Sequence, residues 1–143
     1  MQNKTFDEAY FHGKGSGYVE GYRLDSGLDQ FFKRQITKIK KYEQEGIKIC
    51  DIGCAYGFFL RMCDDCSWTT FGIDVSDYAI AEAQTRTKAE LKVHDVECGV
   101  PYPAKLFDVI TCFDVVEHLK NPSLAISYMC KNLTGGHLVD LNT

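Results

Sequence analysis

The apolar positions of this chain change period along its length. From Leu28, the residues Leu28, Phe31, Phe32, Ile36, Ile39 and Tyr42 recur at helical spacing, so they predict an amphipathic helix with one face on a core. Ser26 stands where its cap is expected and Gly46 where the segment ends. Short β-rich runs then alternate with helical ones: Ile47 to Ile52, Trp68 to Val75, Leu91 to His94, Phe107 to Phe113 and His137 to Leu141. Phe107 to Phe113 is nearly all apolar, as a strand covered on both faces should be. Between the runs, Phe58 to Cys63 continues a glycine turn into a helix, and Ser76 caps a second helix reaching about Arg86. Pro101 and Pro103 mark a connection, and Asn121-Pro122 opens a third helix to about Leu133, which Gly135-Gly136 ends.

Strands alternating with helices imply a parallel sheet with right-handed crossovers, a doubly wound α/β fold. At 143 residues the chain is one domain. Residues 1–24 are rich in glycine and aromatics without a period and read as a loop or lid, leaving 25–143 as the core.

Composition narrows the function classes. Apolar stretches such as Val109 to Phe113 fall far short of the roughly 20 residues of a membrane helix, and Asp7 and Glu8 stand where an export signal would be basic, then apolar. The expected compartment is the cytoplasm. Seven cysteines form an odd, scattered set, which argues for reduced thiols. Cys63 and Cys66 lack the second pair that zinc needs, so no metal site is expected. Net charge is −4 with dispersed basic residues; Lys38, Lys40 and Lys41 read as a solvated helix face, and nucleic acid is disfavoured as a partner.

In such sheets ligands sit outside the carboxyl ends of the strands. After the first strand, Asp51-Ile52-Gly53-Cys54-Ala55-Tyr56-Gly57 has small residues at 53, 55 and 57 that let the backbone turn sharply and approach a ligand. After the second stands Asp74, 23 positions beyond Asp51, where an acid accepts from ribose hydroxyls. Asp95 follows the third and can accept from an exocyclic amine. Each alone also fits a loop former; the ordered set points to a nucleoside.

These motifs resemble those of the class I S-adenosylmethionine-dependent methyltransferases, particularly the broad small-molecule group of the type 11/12 kind. Asp51 to Gly57 is similar to their D-x-G-x-G-x-G with Ala55 for the middle glycine, and Ile73-Asp74-Val75-Ser76, His94-Asp95-Val96, Phe107 to Ile110 with Asp114 to Leu119, and Leu133-Thr134-Gly135-Gly136 resemble the motifs that follow. Thr134 replaces a usual proline. The resemblance implies a Rossmann-like core with S-adenosylmethionine as cofactor. Its methionine part would lie at Gly53, Ala55 and Gly57 with Asp51 near the amino group, its ribose on Asp74, its adenine on Val75 and read by Asp95 and the Val96 amide. The backbone near Phe113 would face the methionine amino group. Arg34 stands where many relatives pair an arginine with the methionine carboxylate, though a solvated helix residue fits it equally. Tyr18 and Tyr22 would cover the sulfonium or anchor a lid.

Glu117 and His118 follow strand four as a cofactor-side feature in this family, so no catalytic residue is named. The Asn/Asp-Pro-Pro-Tyr/Phe of amide and base-amine methylation is missing after strand four, which leaves a small metabolite, sugar or lipid precursor as acceptor. A nicotinamide-dependent oxidoreductase would need G-x-G-x-x-G, which this turn lacks. A non-catalytic S-adenosylmethionine-binding or interaction module stays open because no substrate domain is visible. The resemblance also implies a further helix and an antiparallel strand pair beyond Leu141-Asn142-Thr143. The expectation is a longer protein, or a homo-oligomer that pairs along the exposed edge of strand five.

Overall fold

The structure is a computed structural model that describes residues 6–13, 21–42 and 45–140. Five strands, β1 (Lys48–Ile52), β2 (Thr69–Asp74), β3 (Glu90–Val93), β4 (Phe107–Cys112) and β5 (Leu133–Asp140), form one sheet in the order β3-β2-β1-β4-β5. Every pairing is parallel, so the doubly wound α/β expectation holds. The chain winds outward from β1 to β3 and then crosses back to β4, which places the reversal of strand order between β1 and β4.

Helices α2 (Ser26–Tyr42), α3 (Phe58–Asp65), α4 (Asp77–Gln84) and α5 (Pro122–Lys131) cover the sheet. The α2 stripe does what its period requires: Phe32, Ile36 and Ile39 pack with Ile47, Ile49, Phe59, Cys63, Trp68 and Val109. A second cluster joins Cys50, Ile52, Ile73, Phe107, Ile110 and Cys112 of the strands to Ala125 and Met129 of α5. With both faces covered, β1 and β4 bury nearly every residue, which is why their sequences do not alternate.

Three boundaries differ from the sequence expectation. Ser26 is the first residue of α2, and the Asp25 carboxylate accepts from the Leu28 amide at 2.8 Å in the capping role. α5 begins as expected, with Asn121 accepting from Leu124 N, but stops at Lys131. β5 already starts at Leu133, so Gly135-Gly136 lie inside the strand rather than before it. Pairing runs Phe107 to Leu133 and then Val109 to His137, and Gly135 at φ +110° absorbs the irregularity. A one-turn helix, α1 (Glu8–Phe11), lies within the segment expected to be loop or lid.

Gly72 sets how closely α3 lies on the sheet. A Cβ there would come within 2.7 Å of Leu60 Cδ1, 3.0 Å of Leu91 Cδ2 and 3.1 Å of Cys54 Sγ. Gly72→Val should therefore lower stability by roughly 1–3 kcal/mol in urea unfolding through overpacking; an unchanged midpoint would show that α3 shifts freely.

Candidate cofactor site

The turn after β1 adopts a left-handed backbone at three alternate positions: Gly53 (φ +73°), Ala55 (φ +48°) and Gly57 (φ +76°). At Gly53 no side chain fits, because a Cβ would lie 2.3 Å from Val115 Cγ2 in the loop after β4. Ala55 tolerates the conformation at some cost, since only glycine adopts it freely. The Gly53 and Cys54 amides donate to the Ile73 carbonyl at 2.8 and 3.1 Å, tying the turn to the end of β2.

Asp74, at the carboxyl end of β2, joins two loops with one carboxylate. Its Oδ2 accepts from the Ala55 amide and its Oδ1 from the Ser76 amide, each at 2.9 Å. The residue is buried, and burial raises its pKa against the lowering effect of the Ser76, Ala55 and Val75 amides. Ser76 in turn caps α4, accepting from Ala79 N at 3.1 Å. Beside it Val75 is 47% exposed, an apolar side chain left open next to a buried carboxylate.

Asp51 lies deeper, on the strand pair that flanks the reversal of strand order. The Thr111 hydroxyl of β4 donates to its Oδ1 at 2.7 Å. Burial pushes its carboxyl up to about 7, the Thr111 hydrogen bond lowers it and the Asp74 charge raises it.

The remaining candidates frame this centre. Asp95 is exposed and accepts from Glu97 N at 2.9 Å, which starts a 3-10 turn (Val96–Cys98) whose Val96 is buried. Phe113, just past β4, packs its ring against Phe31, Phe32 and Phe59. Arg34 is exposed on the outer side of α2. Its neighbour Gln35 faces inward, buried, with an Oε1 that has no hydrogen-bond partner among the described residues. The sequence carried a signal for it, a polar residue within the apolar stripe of α2. Tyr22 packs among Phe11, Tyr56 and Phe58, whereas Tyr18 lies outside the described residues. Glu117 and His118 are exposed on a second 3-10 turn (Val116–His118). Tyr10, which the sequence did not single out, is half-buried; burial first, then the charges of Asp74, Asp114 and Glu117, raise its phenol pKa.

Two further expectations concern groups outside the cleft. The cysteines of the described residues are free thiols, and among those residues no group of three or more His, Cys, Asp or Glu side chains could hold a metal ion. No helix of the described residues is long and apolar enough to cross a membrane.

Comparison with known proteins shows the family and the fold. A family model described as a methyltransferase domain matches residues 23–141. The ubiquinone biosynthesis O-methyltransferase of Leptothrix cholodnii is 25% identical over 105 residues, covering 69% of this chain and 45% of that protein. Its namesake from Pseudomonas putida is 28% identical over 103 residues, 68% of this chain and 44% of its own length. The chain thus spans less than half the length of these curated relatives. Among solved structures, the PH0226 protein of Pyrococcus horikoshii superposes with a TM-score of 0.72 at 18% identity, over 81% of this chain and 58% of that one. The magnesium protoporphyrin IX methyltransferase of Synechocystis, solved with bound SAM, gives 0.66 at 18% identity, over 81% and 63%. At such identities the superpositions speak for the fold alone.

Asp51 makes folding pH-dependent. In the unfolded chain its carboxyl ionises near the ordinary value of about 4, so between about pH 4 and pH 7 the folded form holds more protons and its stability falls as pH rises. Asp51→Asn should remove that fall. Relative to wild type, the variant gains up to a few kcal/mol in urea-unfolding stability from pH 4 to pH 7; parallel pH profiles would show that Asp51 is ionised throughout.

Proposed function

The chain belongs to the methyltransferase-domain family, and from that premise we propose that it binds S-adenosylmethionine at the carboxyl ends of β1, β2 and β4 and transfers its methyl group to a small-molecule acceptor. The carrying observation is the Asp74 carboxylate, buried at the carboxyl end of β2 while it accepts from the Ala55 and Ser76 amides. The groups present suit the cofactor. Each Asp74 oxygen keeps a lone-pair direction for a ribose hydroxyl, since a carboxylate has about four acceptor sites and two are used. The exposed Val75 offers an apolar face for adenine, with Asp95 and the Val96 amide to read its edge. Asp51, the turn from Gly53 to Gly57 through Ala55, and the backbone at Phe113 surround the place for the methionine end, with Arg34 as a candidate for its carboxylate.

When bound, the cofactor supplies an electrophilic methyl on a sulfonium, so the hard chemistry is its own. What this chain's residues supply is placement. Holding the acceptor's nucleophile in line and excluding water converts a bimolecular encounter into an oriented one. A base is needed only where the acceptor must lose a proton, and no residue is assigned that role. The names of the curated relatives, O-methyltransferases, favour an acceptor oxygen. The free cysteines suit a cytoplasmic setting.

Calorimetry tests the reading. The chain should bind S-adenosylhomocysteine and ignore NAD; the reverse would sink the proposal. Asp74→Ala should weaken binding by at least about 1–3 kcal/mol, the range for hydrogen bonds to a charged group, and unchanged affinity would show that Asp74 neither holds the ribose nor shapes the turn for the cofactor. A second measurement follows from Asp51. The cofactor's ammonium favours an ionised neighbour, so binding near pH 6 should release a proton, seen as a buffer-dependent heat. Asp51→Asn should abolish that release; a release that survives the substitution would place its source elsewhere.

A further inference from the structure

Helix α5 meets only half of the hydrogen-bond demand at its start. Asn121 Oδ1 accepts from the Leu124 amide at 3.1 Å, which is the first bond of a capping box. The second bond of such a box runs from the side chain at the Leu124 position back to the Asn121 amide, and a leucine has no acceptor to offer. The acceptor comes instead from Glu97, 24 positions earlier, whose Oε1 accepts from Asn121 N at 2.7 Å. That length is typical of an amide donating to a carboxylate.

Glu97 also holds the acid beside it. Its amide donates to Asp95 Oδ1 at 2.9 Å, and the Asp95 carbonyl accepts from Cys98 N at 2.9 Å, which closes the 3-10 turn Val96–Cys98. Asp95 is exposed, and with Oδ1 turned to Glu97 its Oδ2 can serve a donor from outside. On its inner side the turn is fixed by Val96, buried in the cluster that contains Ala125 and Met129 of α5. The half-buried Glu97 carboxylate ties the same turn to the start of that helix. Two anchors fix the tilt of a turn that one would leave free to rock.

We propose that Glu97 is a positioning residue for cofactor recognition: its carboxylate, bound to the Asn121 amide, holds the Asp95 turn at the angle from which Asp95 accepts from the exocyclic amine of adenine. The proposal rests on the binding reading above and adds a residue that acts through Asp95. Selectivity for an aminopurine over a ketopurine then depends on a bond between two protein groups. An acid that meets a keto oxygen in place of an amine loses a hydrogen bond and faces a second acceptor, which leaves both unsatisfied. A fixed Asp95 enlarges that difference between the two bases, and a rocking turn reduces it.

The test measures, by calorimetry on the full chain, the dissociation constants of S-adenosylhomocysteine and of its inosine analogue, S-inosylhomocysteine. The wild type should prefer the adenosine form by about tenfold or more, the size of one hydrogen bond to a charged group. Glu97→Ala should cut that ratio about fivefold; Glu97→Asp, which keeps the charge but lacks the reach, should do the same, whereas Glu97→Gln, which keeps an acceptor oxygen, should hold the ratio within about twofold. Loss of stability alone would weaken both ligands together and leave the ratio unchanged. That result in folded Glu97→Ala and Glu97→Asp, or a Glu97→Gln as impaired as Glu97→Ala, overturns the proposal. Far-UV circular dichroism checks folding, and Glu97→Asp carries the comparison should Glu97→Ala fail it. A wild type that binds both ligands equally overturns the proposal and leaves the binding reading intact; one that binds neither overturns both.

Discussion

One carboxylate, that of Asp74, holds the cleft in shape. By accepting from Ala55 N on one side and Ser76 N on the other, it fixes the turn after β1 against the start of α4. A buried carboxylate is costly unless its lone pairs are met, and here backbone amides from two elements meet them. The turn can then run through left-handed backbone at 53, 55 and 57, because its amides have partners in place. With the turn fixed, Tyr56 is held where Phe11 stacks on it. Remove the carboxylate, and the turn and the start of α4 lose their common anchor.

Around that anchor the electrostatics are one-sided. Asp51 and Asp74 are both buried; burial first, and then the Asp74 charge, pushes the Asp51 carboxyl up to about 7 against the Thr111 hydrogen bond. Asp114 is also shifted upward, by burial and by Glu117. A site in which burial raises the pKa of its carboxyls is set to respond to a cationic ligand, whose charge favours their ionised form. This is the physical sense in which the cleft suits a ligand with a sulfonium and an ammonium.

Packing explains why the cleft lies where it does. β1 and β4 are covered on both faces, and the chain leaves them in opposite directions across the sheet, so their carboxyl ends open a crevice that no crossover fills. Thr111 of β4 donates into that crevice to Asp51 of β1, a bond across the strand pair that a sequence 60 positions apart gives no hint of. The close fit of Gly53 to Val115 is similar: the glycine is required by a side chain from the loop after β4.

What the sequence by itself determined was what local period and local chemistry dictate. Alternating strand and helix runs specified the parallel sheet, Asn121-Pro122 and Ser76 specified two helix starts through their own side chains, and the order Asp51, Asp74, Asp95 located the carboxyl ends of β1, β2 and β3. It failed where a residue has two local meanings. Gly135-Gly136 could end a helix or bend a strand, and pairing with β4 decided for the strand; Ser26 and Asp25 could each cap α2, and the geometry chose Asp25. Only the tertiary structure joined Asp51 to Thr111, turned Gln35 inward and Arg34 outward, and stacked Phe11 on Tyr56. Those relations join segments far apart in the chain, so they are set by how packed elements meet, and no periodicity within a single segment records them.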